Sequence, residues 1–250
     1  MQNYIEEVDN NFNVFFQETE SNIVSVFEEM NKEKEHFKMS YRRLVSFQAW
    51  NSELINKIAS DGTQGFFIES QNDVLMSHAL ARQGAWRVAL MSLRSCIENT
   101  LFGLYYLDHP VELELWELGR HRLGFTEVLN YLSDHPKFIN LPPKIIGIGA
   151  LKTEYATLSK AVHGSSKLFR VTREGEIKGL NVVSHPDFGS WKCRERLTVT
   201  SLNMVLLTFF RDNLIGTSNP NLRKAISLSI LESWFSDIKT TYKVSLKKTS

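Results

Sequence analysis

Apolar residues recur at three- and four-residue steps over most of the chain, the period of helices that bury one face. From Tyr4 to Ala59 there is no Gly or Pro, and Ile23, Val26, Phe27, Met30, Phe37, Tyr41, Leu44, Phe47, Trp50, Leu54 and Ile58 keep that period. The pattern predicts one or two long helices with Glu28, Glu29, Glu33 and Glu35 on exposed faces. Asp61-Gly62 reads as a break, and Gly65-Phe66-Phe67-Ile68 as a short apolar connector. Helical periodicity resumes near Asn72 and, after Gly84, runs from Ala85 to Leu107 until Asp108-His109-Pro110 stops it. Shorter helices are predicted over Val111–Leu118 and Phe125–Leu132. Another starts near Ile146 or Leu151 and runs to His163, with Gly164-Ser165-Ser166 as its terminator.

Leu168 to Val183 alternates partly and turns at Glu174-Gly175, so a small β-hairpin is expected over 168–184. Trp191–Leu214 and Asn221–Lys243 read as two closing helices, the first with apolar Leu197, Leu202, Val205, Leu206, Phe209 and Phe210. The expected fold is therefore an all-α helical bundle with long N-terminal helices and one small hairpin insertion. Residues 1–60 form the helical extension and 61–250 the bundle, within one continuous domain.

A chain of 250 residues with 42% hydrophobic and 23% charged side chains can bury a core, which excludes a disordered or fibrous protein. The net charge of +1 excludes a generally basic nucleic-acid coat, yet the charge is unevenly placed. Residues 1–60 carry 6 basic and 10 acidic side chains, 61–150 carry 7 and 10, and 151–250 carry 16 and 8. A polyanion is thus expected to dock on the C-terminal part. Two cysteines, Cys96 and Cys193, supply neither a disulfide framework nor a cysteine zinc cluster, and fit a reduced cytoplasm. The acidic start, Met-Gln-Asn-Tyr-Ile-Glu-Glu, is unlike a secretory signal. Arg87, Arg94, Glu98 and Asn99 interrupt the longest apolar run, against a bilayer span. The expectation is a cytoplasmic protein without a membrane partner. The chain lacks a glycine-rich phosphate loop, a Gly-x-Ser-x-Gly elbow, a His-Glu-x-x-His pair and an Asp-rich calcium loop. Its seven histidines include no i, i+4 pair, so neither a cofactor nor a metal site is expected.

Two polar constellations remain. At about 100° per residue, Arg87, Arg94 and Glu98 fall within about 40° on an otherwise apolar helix. This stripe is either a solvated edge with an Arg94–Glu98 pair or a cleft-facing pair that positions a polar substrate. Tyr155, Ser159 and His163, at i, i+4 and i+8, form a ridge carrying a phenol, a hydroxyl and an imidazole. A histidine in a last helical turn is also favoured by the helix dipole alone.

A central helix with Arg-x-x-x-Glu (Arg94, Glu98) and a later helix ending in Tyr-x-x-x-Ser-x-x-x-His-Gly (Tyr155, Ser159, His163, Gly164) resembles the HEPN superfamily, particularly its divergent bacterial branches. The resemblance covers about Asn72 to Phe210. It implies a homodimer in which the histidine-bearing helix ends of two subunits meet in one cleft. In active members an Arg and a His from each subunit act on RNA without metal, the 2′-hydroxyl being the nucleophile. Many members serve toxin–antitoxin or antiviral systems. The usual motif has four to six residues between Arg and His, which places the Arg here at Ala156, Thr157 or Leu158, none of them basic. Either Arg94 supplies the guanidinium, with Lys160 or Lys167 as auxiliary cations, or the chain is a non-catalytic member.

Three functions follow as expectations. The first is a HEPN-like dimeric effector that cleaves or binds RNA, with His163, Arg94, Glu98, Tyr155 and Ser159 as the catalytic set. It expects His163→Ala and Arg94→Ala to abolish cleavage while changing stability by less than about 1–2 kcal/mol. The second is a catalytically silent interaction subunit or antitoxin that contacts a protein partner through its N-terminal helices. The third is a non-enzymatic nucleic-acid binder using Lys160, Lys167, Arg170, Arg173, Lys192, Arg194 and Arg196 along a phosphate backbone.

Overall fold

A computed structural model describes residues 2–163, 181–216 and 218–247. In chain order the helices are α1 (Gln2–Lys32), α2 (Lys34–Trp50), a π-helical turn (Asn51–Ile55), α3 (Asn56–Ile58), α4 (Asp61–Arg82) and α5 (Trp86–Asp108). They are followed by α6 (Pro110–Glu117), α7 (Phe125–Asp134), α8 (Pro143–Ile146), α9 (Ile148–His163) and α10 (His185–Phe209). A 3₁₀ turn (Arg211–Leu214), α11 (Pro220–Ser229), a second 3₁₀ turn (Glu232–Trp234) and α12 (Phe235–Tyr242) complete the fold. The protein is all-α, with no strand among the described residues. Among those residues no helix is long and apolar enough to cross a membrane.

Local chemistry sets the boundaries. Proline occupies the first turn of α6, α8, α10 and α11, where its missing N–H costs nothing. Ser60 and Ser184 cap α4 and α10 by accepting the amides of Thr63 and Asp187. Gly147 links α8 to α9 at φ +78°, where a Cβ would lie 2.5 Å from the carbonyl oxygen of Ser201. Glycine is therefore required both for the turn and for the approach of α9 to α10.

The core is built around α5 and α10. Leu93, Cys96, Ile97, Leu101 and Leu104 of α5 and Trp191, Val199, Leu202, Val205 and Leu207 of α10 are all fully buried. Each such large side chain contributes about 1.5–3 kcal/mol through loss of water contact. α2 adds Phe37, Leu44, Phe47 and Trp50 to the same cluster, so the core draws on both sides of residue 60. α1 enters it only through Val26 and Met30, and its residues 3–18 are exposed.

A polar seam runs between α2 and α10 inside this core. Arg43 donates to both carboxylate oxygens of Glu195, at 3.3 Å and 2.5 Å. Trp50 Nε1 donates to Asn203 Oδ1 at 2.9 Å, and Asn203 Nδ2 to Ser46 Oγ at 2.9 Å. Each partner needs the other in one register, so the seam fixes how α2 lies on α10.

The fold departs from the sequence reading at several points. The break at Asp61-Gly62 and the connector at 65–68 are instead the first turns of α4, with Phe66 and Phe67 buried. A helix-interior glycine costs only about 1 kcal/mol, and burial of two phenylalanines outweighs two of them. The second closing helix is interrupted where Ile230 turns extended, at φ −108° and ψ 145°, and becomes buried. Leu197, assigned to the apolar face of α10, is 40% exposed. Residues 168–180 of the expected hairpin lie outside the described residues, and 181–184 form no strand.

Candidate functional site

The two polar constellations meet where α9 crosses α5. Arg94 Nε donates to Ser159 Oγ at 3.2 Å, Nη1 to Glu98 Oε2 at 3.1 Å and Nη2 to Tyr155 Oη at 2.5 Å. Tyr155 Oη donates onward to Glu98 Oε1 at 2.6 Å, and Ser159 Oγ donates to the Tyr155 carbonyl at 2.8 Å. The Arg94 and Glu98 side chains are 25% and 23% exposed, so the cluster sits at the rim of the core. The Arg94–Glu98 pair is locked to a second helix, an arrangement that neither reading of the stripe, solvated edge or cleft-facing pair, describes.

Each member has a physical reason to be there. Arg94 and Glu98 share a helix face at i, i+4, which brings guanidinium and carboxylate together. Tyr155 is held by a stacked contact with Phe125 of α7, centroids 3.4 Å apart and planes 11° from parallel. Burial, reinforced by the Glu98 carboxylate that accepts its proton, pushes the Tyr155 phenol up to about 12. At neutral pH Tyr155 is thus a hydrogen-bond donor and not a base.

His163 is the last residue of α9; its side chain lies outside the described residues. Its backbone is nevertheless anchored. Arg87, in line with Arg94 on α5, donates Nε to the Ala161 carbonyl and Nη2 to the Val162 carbonyl, both at 2.9 Å. A cation on the orphan carbonyls of a helix C-terminus satisfies them and opposes the helix dipole. The whole Arg87–Arg94–Glu98 stripe therefore grips one helix, from Tyr155 to the residue before His163.

Sequence reasoning missed a second polar layer beside this network. Asn99 Nδ2 donates to Asp73 Oδ2 of α4 at 2.8 Å, and also reaches Ser95 Oγ at 3.4 Å. Burial holds the Asp73 carboxyl above the usual carboxylate range, with Glu69 and Glu98 adding repulsion against the lowering effect of Asn99 and Ser95. The signal was present, because Ser95 and Asn99 follow Arg94 and Glu98 by one residue at the same spacing.

The cationic positions separate. Arg194 Nη1 is bound to Glu154 Oε2 at 2.7 Å, and that carboxylate side chain is only 4% exposed, so Arg194 serves the α9–α10 packing. Lys192 Nζ lies 4.5 Å from the Phe188 ring centroid. Lys160 and Arg196 are exposed. Lys167, Arg170 and Arg173 lie outside the described residues. A cationic groove of about 350 Å³ not foreseen from sequence opens between α1, α2 and α4, lined by Lys34, Lys38, Arg82, Phe37, Tyr41 and His78. Burial, then the charges of Arg82 and Arg43, hold the His78 imidazole down at about 4, so it is neutral there.

Among the described residues no group of three or more His, Cys, Asp or Glu is arranged to hold a metal ion. No protein family, curated protein or solved structure was found to match this chain.

Proposed function

We propose that the chain is a HEPN-like dimeric effector of a bacterial antiviral or toxin–antitoxin system that cleaves or binds RNA without a metal. The supporting observation is the convergence of Arg94 and Glu98 with Tyr155 and Ser159, 57 to 65 residues away in sequence, into one closed network. With Arg87 it fixes the helix whose final residue is His163.

In this reading His163 is the catalytic residue. Two helix ends meet in the dimer cleft, and one imidazole takes the 2′-hydroxyl proton as that oxygen attacks the adjacent phosphorus. The bond from phosphorus to the 5′-oxygen breaks, and the second imidazole protonates the departing oxygen, leaving a 2′,3′-cyclic phosphate. Arg94 has all three guanidinium nitrogens engaged, which makes it a positioning residue first and a phosphate contact only through its exposed edge. Lys160, exposed one turn before His163, adds a cation for the backbone.

The test is incubation of the purified chain with total RNA in EDTA, beside His163→Ala. Cleavage that persists in EDTA and disappears in the variant is the expected result. Absence of cleavage leaves RNA binding or the silent subunit; equal cleavage by His163→Ala overturns the site assignment. The silent interaction subunit has its own support, since α1 exposes large apolar side chains along residues 4–16.

A further inference from the structure

α1 carries an apolar face that nothing among the described residues covers. Tyr4, Ile5, Val8, Phe12, Phe15 and Phe16 are 47% to 70% exposed. At about 100° per residue these six lie within an arc of about 120°, in phase with Val26 and Met30, which the body buries. Glu6, Glu7, Asp9, Glu18 and Glu20 all fall outside that arc. A helix rich in asparagine and β-branched or aromatic residues has weak intrinsic stability and needs a partner for its apolar side.

The order of the six residues identifies the partner. Positions 4, 5 and 8 are the mirror of 16, 15 and 12 about residue 10. Two copies of this segment laid antiparallel about residue 10 set Phe12 level with Val8 and Phe15 with Ile5 along the middle of the face, and on its flanks bring Phe16 beside Ile5 and Phe15 beside Tyr4, twice over. That reciprocity is the mark of a two-fold self-complementary surface. In this register Glu6, Glu7 and Asp9 lie level with Val14, Asn13 and Asn11, so no two carboxylates share a level, and the two copies of Asp9 are the one acidic pair on a common flank. A parallel pair sets every acid against its own copy. A lipid surface fits poorly, because residues 1–31 hold seven acidic and no basic side chains, which an anionic bilayer repels. With four aromatic residues per copy, the pairing covers roughly 1,000 Å² in total, the lower bound for a specific interface.

We propose that α1 is a self-association element that joins two copies of this chain through an antiparallel helix pair centred on residue 10. The inference is independent of any action on RNA, and a chain inactive on RNA can still pair in this way. Sedimentation equilibrium of the full chain tests it. The wild type is expected to form an assembly that Phe12→Asp/Phe16→Asp weakens: its mass halves where α1 alone joins the chains, and its dissociation constant rises at least about tenfold where the α9 ends join the same two chains. A wild-type mass of 28.8 kDa at tens of micromolar, or an unchanged mass and dissociation constant in the variant, overturns it. A second measurement does not depend on disrupting the helix. In a Cys193→Ser background, Val8→Cys/Phe12→Cys should give a disulfide-linked pair of chains on oxidation, and Val8→Cys alone should not. No linkage in the double variant, or equal linkage in the single one, rejects the register.

Discussion

Tyr155→Phe removes one oxygen from the centre of the α5–α9 network and leaves the ring on Phe125, 3.4 Å away. Two hydrogen bonds go with it, one donated to Glu98 at 2.6 Å and one accepted from Arg94 at 2.5 Å. Bonds to charged groups contribute about 1.5–3 kcal/mol each when nothing replaces them. Here Arg94 and Glu98 stay bound to each other at 2.8 Å and are about a quarter exposed, so water and the pair itself recover part of the loss. The expected cost is therefore about 1.5–2 kcal/mol, read as a lower urea midpoint with unchanged slope. Glu98→Gln in the same cycle should show a coupling of about 1 kcal/mol, since the two side chains touch. The pH dependence gives an independent check. Tyr155 titrates higher in the folded state, about 12 against an ordinary 10, so its contribution is complete below pH 10 and is lost as pH rises through 12. The gap between wild type and Tyr155→Phe must narrow over that range. A midpoint shift below about 0.5 kcal/mol, zero coupling, or a gap that widens with pH refutes the idea that this phenol ties α9 to α5.

Arg43→Met strands the Glu195 carboxylate, whose side chain is 1% exposed, and should cost about 3 kcal/mol in urea unfolding, whereas Arg43→Met/Glu195→Met should recover most of it. Equal losses in the single and double variants would show that packing, and not the ion pair, is at stake. His78, neutral in the fold and held at about 4 against an ordinary 6.5, gives stability that is complete above pH 6.5 and lost as pH falls toward 4. His78→Gln should flatten the urea midpoint between those pH values; an unchanged slope contradicts the assignment.

Helical periodicity in the sequence located α2, α5, α7, α9 and most of α10, because each buries a stripe that hydrophobic spacing encodes directly. It failed at the start of α4, where two glycines look like punctuation. Gly103 of α5 shows what such an isolated reading lacks: a Cβ there would lie 2.8 Å from the Phe67 ring. Small residues can be the sockets for large ones on another helix, and no local window contains both. The split between α11 and α12 was hidden for a related reason. Ile230 leaves the helix to bury its side chain in a cluster assembled from distant segments, and no glycine or proline marks the place.

The site was legible as two spacings and not as one network. Arg94-x-x-x-Glu98 and Tyr155-x-x-x-Ser159 each announce a helix face, but only packing reveals that the faces are complementary. Arg43 with Glu195 and Arg194 with Glu154 were less legible still. In both pairs an arginine that a sequence assigns to the surface is bound by a nearly buried carboxylate on another helix, and Arg194, expected on the cationic surface, keeps 29% of its side chain exposed while it does so.

The geometry also changes what a loss of the proposed RNA cleavage in Arg94→Ala would mean. From sequence alone, Arg94→Ala looks like a site substitution with little effect on stability. In the fold, Arg94 satisfies Ser159, Tyr155 and Glu98 at once, so its removal leaves a partly buried carboxylate without its cation and loosens α9 along two turns. An inactive Arg94→Ala therefore cannot distinguish a lost phosphate contact from a displaced His163. Tyr155→Phe makes that distinction, because the phenol is neutral and carries no charge to a phosphate. If it lowers the proposed cleavage in step with Arg94→Ala, the arginine works by positioning the helix; if cleavage survives Tyr155→Phe/Ser159→Ala, which strips both α9 side-chain partners from Arg94, and not Arg94→Ala, the guanidinium edge itself meets the substrate.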